Sequence, residues 1–216
     1  DGLSRSTIGW AGLIFGVYAF NYLWAPLIDR VQIPFLTKKI GHRRGWIVLM
    51  QILILISLFL WSIINPTENL ALVITVGLFI AVASATQDIT VDALRIEQIG
   101  EHEGKSMAAG AAMAVVGWWS GYKLGGVLSL FSAEYLQKTG FENYWQLTFL
   151  ILGVLIILMN IGLMFINETG SLERQNKQKE TDRIISGNFK EENFFTQFIT
   201  WIGGTIGGPI ISFFKK

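Results

Sequence analysis

SATQDITVDALRIE, residues Ser84 to Glu97, breaks a run of lipid-compatible side chains with a glutamine, two aspartates and an arginine. Asp88 and Asp92 are four positions apart, so on a helix they share a face, with Gln87 and Arg95 beside them. Ionisable groups inside a hydrophobic segment are costly. They usually face a bundle interior or a watery cavity and mark a substrate or ion path. The rest of the chain reads as the wall around these groups.

The 216 residues are 51% hydrophobic and 15% charged, with eight Trp and no Cys, and the mean hydropathy is +0.46. Soluble domains carry about 25% charge; here the charge is lower and the apolar residues are gathered into long runs. The expected class is an all-α, polytopic membrane helix bundle. A net charge of +1 gives no footprint for a nucleic-acid partner. The lack of cysteine excludes thiolate metal sites, disulfides and cysteine nucleophiles. Asp1 is not an initiator methionine, and neither a basic leader nor a cleavage site follows it. The chain is therefore expected to start inside a longer protein.

Five stretches are long and apolar enough to be read as spans, given that about 20 residues cross a hydrocarbon core of roughly 30 Å. They are Ile8 to Ile28, Trp46 to Ile64, Leu70 to about Asp92, Ser106 to about Phe131, and Trp145 to Ile166. None alternates apolar and polar residues as a barrel strand would. Arg30, Lys38, Lys39, Arg43 and Arg44 follow the first span, Arg95 and Lys105 the third, and Arg174, Lys177, Lys179, Arg183 and Lys190 the fifth. The opposite side holds only Arg5 and Lys138. The positive-inside rule makes the loops after spans one, three and five cytoplasmic. Residues 1–166 then form the membrane part, and the charged stretch 167–193 a cytoplasmic linker. Residues 194–216, with four glycines, a proline and a terminal lysine pair, are expected to form an interfacial segment, with a span or a re-entrant loop as the alternatives.

Three constellations carry candidate chemistry. WAPLIDR, Trp24 to Arg30, and GHRRG, Gly41 to Gly45, place Asp29 and Arg30 opposite Arg43 and Arg44 across a short loop. Such charges can latch helices together; the alternative is that the loop is basic only because of its topology. Gly117, Gly121 and Gly125 recur every four residues, followed by Gly126, and give one helix face a close-packing surface, which is also common in ordinary membrane helix packing. Lys123 lies within this run, too deep to snorkel easily past Val127 to Phe131, so it is a candidate substrate-binding cation. Asp88 lies one turn deeper than Asp92 and is the better proton-exchanging carboxylate. Asn21, Gln87 and Gln51 are neutral groups suited to an amide or a sugar, or to interhelical hydrogen bonds. His42 and His102 have no metal-ligand spacing, and no nucleophile with its base, phosphate loop or metal cluster is visible, so no catalytic residue, metal or cofactor is assigned.

Taken together, FNYLWAPLIDR, Pro34-Phe35, GHRRGW, SATQDITVDA and GYKLGG resemble the N-terminal half of the AmpG-type muropeptide permeases of the major facilitator superfamily. The resemblance runs from about Gly9 to Ile166. Its most specific parts are the LWAPLIDR run and the pattern formed by Ser84, Gln87, Asp88, Ile89, Asp92 and Ala93. It implies import of cell-wall peptide-sugars across the bacterial inner membrane, coupled to protons. The resemblance also implies that Asp29, Arg30, Gly41, Arg43 and Arg44 correspond to a stretched form of the superfamily's loop signature. Lys123 stands where close relatives typically carry arginine, and Asn21 where they often carry lysine. Tyr122 lies where the glycine signature of proton antiporters has its proline, so antiport does not follow.

On this resemblance the five spans match helices two to six of a twelve-helix carrier, and the expected partners are membrane lipid, a small peptide-sugar, protons and the missing transporter half. Substrate in such carriers binds near the midplane between two six-helix halves. The chain alone is therefore expected not to transport. Two readings stay open beside this one. One is a permease of the same fold for another solute, such as a siderophore, a nucleotide or a coenzyme thioester; the other is a non-transporting remnant of a split gene.

Overall fold

The computed structural model describes residues 9, 12–64, 69–99, 104–166, 168 and 203. Among them every regular element is helical. Apart from Glu168 and Gly203, the expected linker and interfacial segment lie outside the described residues.

The first expected span is divided. Helix α1, Leu13–Phe20, gives way to a 3-10 turn at Asn21–Leu23, and α2, Ala25–Arg30, follows. Pro26 stands in the first turn of α2. It has no N–H to donate, and its ring disfavours helix in the residues before it, so the break falls where the sequence forbids continuity. A short five-residue helix follows as α3, Leu36–Ile40, before the long helices begin.

Helices α4, His42–Ile63, α5, Leu70–Ile99, α6, Gly104–Lys138, and α7, Tyr144–Met164, build the bundle. Among the described residues, three helices are long and apolar enough to cross a membrane: His42–Ile63, Leu70–Ile99 and Tyr144–Leu163. The fourth expected span lies inside α6, whose apolar character is diluted by Gly, Ala and Ser. With 30 residues, α5 is about 45 Å long. That exceeds the roughly 30 Å hydrocarbon core. At least one end of the helix therefore extends past the oily layer.

Helix α4 is the hub and packs against α5 on one side and α7 on the other; α6 leans on α7 and meets α5 only loosely. Ile28, Ile47, Met50 and Leu58 are buried together with Val76, Ala81, Ala83, Ala85 and Leu94. The small residues of α5 allow close backbone approach, which is how helices associate when no water drives them together. Each of three indoles spends its N–H on another segment. Trp24 donates to the Thr86 hydroxyl at 3.0 Å, Trp46 to the Val31 carbonyl at 2.9 Å and Trp61 to the Val73 carbonyl at 3.1 Å. Trp61 also lies 5.2 Å from Phe149, ring centre to ring centre, so α4 and α7 run antiparallel.

Candidate functional site

Helices α5 and α6 touch near their shared loop and then part. At Gly110 of α6 a side chain would collide with Ile99 and meet Arg95 of α5, so the two helices lie close together here. Beyond it a cleft of about 600 Å³ opens, lined by Asp88, Val91, Asp92 and Arg95 from α5 and by Ala114 and Trp118 from α6, among others. Both aspartates are exposed toward it. Asp92 accepts an ion-pair contact from Arg95 Nη2 at 3.0 Å, leaving Asp88 as the carboxylate with no ion-pair partner among the described residues. Arg95 buries its Nε and Nη1 without hydrogen-bond partners among the described residues, so its guanidinium is only part-used by Asp92.

Tyr18 completes this side of the molecule, and sequence reasoning missed it. Its side chain is hydrogen-bonded to Ser84 and lies close enough to Asp88 to interact with its charge. Ser84 and Asp88 are one turn apart on α5, and α1 packs along that face. The available signal was Ser84 itself, a hydroxyl one turn from an intramembrane acid.

The structure separates residues that stand side by side in the sequence. Gln87 falls on the stripe of Ala83, Thr90 and Leu94, the buried face of α5, and its Oε1 is buried with no partner among the described residues. It does not line the Asp88 cleft. Lys123 is exposed on α6. It lies nine residues from Ala114, or two and a half turns, and therefore on the opposite side of the helix from the cleft-lining stripe. No hydrogen bond or ion pair holds it among the described residues. Asn21 opens the 3-10 turn that breaks the first span, and its carbonyl accepts the Trp24 N–H. Cβ atoms placed at Gly117, Gly121, Gly125 and Gly126 would meet nothing within 4 Å, so the small-residue face is unpartnered within the described chain. Gly117 also borders the cleft.

The second site is a charge cluster that joins the same end of α5 to the start of α4. Arg43, buried at the start of α4, holds Asp29 of α2 at 2.5 Å through Nη1 and Glu97 of α5 at 3.0 Å through Nη2. Its Nε also donates to Glu97 at 3.1 Å. Beside it, His42 Nε2 lies 2.9 Å from the Ile28 carbonyl. Asp29 and Arg43 thus meet as their sequence positions suggest, whereas Glu97 comes from 54 residues away and local spacing did not reveal it. Arg30 and Arg44, also expected here, are part-exposed and flank this cluster without joining the Arg43 ion pairs.

The amino end of α4 is closed by a carboxylate. Gly41 takes φ +101°, and the backbone N–H groups of His42, Arg43 and Arg44 donate to Glu168 at 3.0–3.2 Å. Four backbone donors are orphaned at a helix start and the dipole there favours negative charge, so one side chain answers both needs. At the far end of α6, Lys138 donates to Glu134 at 2.6 Å and holds its carboxyl below the usual range, an exposed surface pair remote from either site.

Among the described residues, no three of His, Cys, Asp and Glu are grouped so as to hold a metal. What the geometry offers is a polar cleft between two long helices and a buried charge cluster where three segments meet.

The profile of the family described as "Major Facilitator Superfamily" matches residues 2–214. "Putative transporter AmpG 4" of Rickettsia felis is 32% identical over 200 residues, covering 92% of this chain and 42% of that protein. "Anhydromuropeptide permease" of Escherichia coli K12 is 33% identical over 157 residues, covering 72% of this chain and 30% of that protein. "Putative transporter AmpG 3" of Rickettsia typhi is 36% identical over 116 residues, 54% of this chain and 27% of that protein. The chain thus spans well under half the length of these curated relatives.

Proposed function

The chain belongs to the Major Facilitator Superfamily, and on that premise we propose that it forms the N-terminal half of a permease importing anhydro-muropeptides across the bacterial inner membrane by symport with protons. The observation that carries this reading is the α5–α6 cleft, where an aspartate without an ion-pair partner among the described residues lies one turn from a second aspartate that has one.

In this mechanism Asp88 exchanges the proton. Asp92, one turn away, is held by Arg95. Lys123 and Asn21 line other walls of the translocation path, where they receive carboxylate and amide groups of the peptide-sugar, while Gln87, on the buried face of α5, supports the helix packing behind that path. The glycine face of α6 meets the half of the carrier that this chain lacks. Asp29, Arg43 and Glu97, with Arg30 and Arg44 alongside, form the cytoplasmic latch that is made in one state and broken in the other. A proton and a substrate that favour the same state are thermodynamically coupled.

The test is uptake of labelled anhydro-muropeptide by vesicles whose own permease has been removed, with the full-length protein present and with or without a proton ionophore. Uptake that collapses with the ionophore supports both the solute and the coupling. A folded protein that moves no muropeptide rejects the solute and leaves the family membership standing.

A further inference from the structure

The middle of α6 carries a cluster of aromatic rings to which the permease reading assigns no task. Trp118 and Tyr122 lie one turn apart, with ring planes 7° from parallel and centres 5.9 Å apart. Trp119 meets both edge-on, 5.1 Å from Trp118 and 6.5 Å from Tyr122, and so steadies the pair. All three side chains are exposed by half or more. The indole N–H groups of Trp118 and Trp119 and the Tyr122 hydroxyl make no hydrogen bond among the described residues.

Their place along the helix is wrong for a membrane anchor. Anchoring Trp and Tyr gather at the two membrane–water interfaces. Helix α6 has 35 residues, and these rings stand about 20 Å from either end. Their place around the helix points to the cleft instead. Ala111, Val115 and Trp118 line it, and Tyr122 follows at the next step of the same four-three-four spacing, so the stripe continues through the phenol ring. Arg95 lies against Gly110; Trp118 follows Gly110 by eight residues and Asp88 precedes Arg95 by seven, about 12 and 10 Å along antiparallel helices, which puts Trp118 at the level of Asp88. The cleft is thus charged at its closed end, where Asp92 and Arg95 pair, and aromatic at its open end.

We propose that Trp118 and Tyr122 form the stacking platform for the pyranose ring of the substrate, an inference that rests on the peptide-sugar reading of the same cleft. A pyranose turns a face of C–H groups, made electropositive by neighbouring oxygens, toward the negative face of an aromatic ring. Its rim of hydroxyl and acetamido groups then meets the indole N–H and the phenol, which the acyl chain of a lipid would leave unpaired at a cost. A peptide carboxylate would be repelled by the same negative faces. At about 600 Å³ the cleft is within the range of small-molecule sites, about 300–1,000 Å³. Sugar specificity is therefore set on α6, across the cleft from Asp88 on α5.

The test uses the full-length protein in two measurements. One is uptake of labelled anhydro-muropeptide into vesicles; the other is binding of the anhydro-sugar without its peptide to the purified protein, read by retained label and by tryptophan fluorescence. Trp118→Leu and Tyr122→Leu, which keep bulk and lose the ring face, should each weaken sugar binding about three- to tenfold and raise the KM for uptake with kcat little changed. Trp118→Phe should bind the sugar nearly as well as the parent yet lose the fluorescence change that the sugar produces, because the reporting indole is gone. Phe131→Leu, an exposed aromatic on another face of α6, should alter neither measurement. Normal muropeptide uptake with unaltered sugar binding in both leucine variants overturns the platform and leaves the permease reading standing. A fluorescence change retained in Trp118→Phe overturns it as well. Ring-dependent sugar binding in a folded parent that moves no muropeptide keeps the platform and rejects the transported solute; neither binding nor uptake rejects both. Should the leucine variants not fold, Trp118→Phe decides alone.

Discussion

Arg43 and Glu97 grip each other at 3.0 Å across 54 residues of chain, joining the start of α4 to the last turns of α5. The arginine is buried, so its positive charge depends on this partner and on Asp29 for its satisfaction. A cation left buried without a partner is far more destabilising than the pair is stabilising. Glu97→Ala is therefore expected to lower unfolding free energy by about 2–3 kcal/mol. Asp29→Ala, on a half-exposed side chain, should lower it by about 1 kcal/mol or less. Denaturant titration of the purified protein reads both. Equal effects would mean that Arg43 does not discriminate between the two acids.

In transport, Asp88→Asn is expected to abolish ionophore-sensitive accumulation while leaving exchange of labelled for unlabelled substrate measurable. A carrier that cannot bind the proton still reorients with substrate on both legs of the cycle. Asp92→Asn should weaken the Arg95 contact and reduce uptake less. Loss of exchange and accumulation together in Asp88→Asn, at normal membrane levels, would make Asp88 a substrate ligand rather than a proton site.

The carboxylate cap on α4 gives a stability prediction independent of function. Glu168→Ala leaves the amide groups of His42, Arg43 and Arg44 without their acceptor and should cost about 1 kcal/mol. Gly41→Ala should cost more, about 1–3 kcal/mol, because an alanine at φ +101° is strained and its Cβ meets the Glu168 carboxylate. In Glu168→Ala the steric part of the Gly41→Ala penalty should shrink, because only the Cβ at 3.1 Å is left, while the backbone part remains. A double-mutant cycle followed by thermal unfolding separates the two.

Gly121 tests the unpartnered face of α6. A methyl group there meets nothing within 4 Å, and alanine is a better helix former than glycine by about 1 kcal/mol. Gly121→Ala should therefore leave this chain as stable as before or slightly more so. Gly121→Leu in the full-length protein should depress uptake if another helix packs on that face during the cycle. Unchanged uptake in the leucine variant would leave the face pointing to lipid.

How much of this was legible in the sequence follows from how local each signal is. Helical character, the long apolar runs and the meeting of Asp29 with Arg43 could be read because hydropathy and short-loop spacing act over a few residues. The break at Asn21–Leu23 was also written locally, in Pro26, but total hydropathy outvoted it when the first span was drawn as one piece. Glu97 and Glu168 could not be seen as partners, because nothing in a one-dimensional pattern brings residues 54 and 125 positions apart to the same guanidinium and the same helix end. Gln87 and Asp88 were grouped by adjacency, yet neighbouring positions on a helix differ by about 100° in direction, enough to turn one toward α4 and the other toward the cleft. Lys123 was read by depth alone; direction around the helix, not depth, sets it apart from Asp88.

The three members of the charge cluster are unequally wet: the Arg43 side chain is 7% exposed, Glu97 21% and Asp29 52%. Water therefore competes first for Asp29, so the contact between α2 and α4 is the first to yield when the segments are pulled apart. Arg43 then still rests on Glu97 and is never abandoned in a dry interior. The cluster thus has a wet half, which joins α2 to α4, and a dry half, which joins α4 to α5.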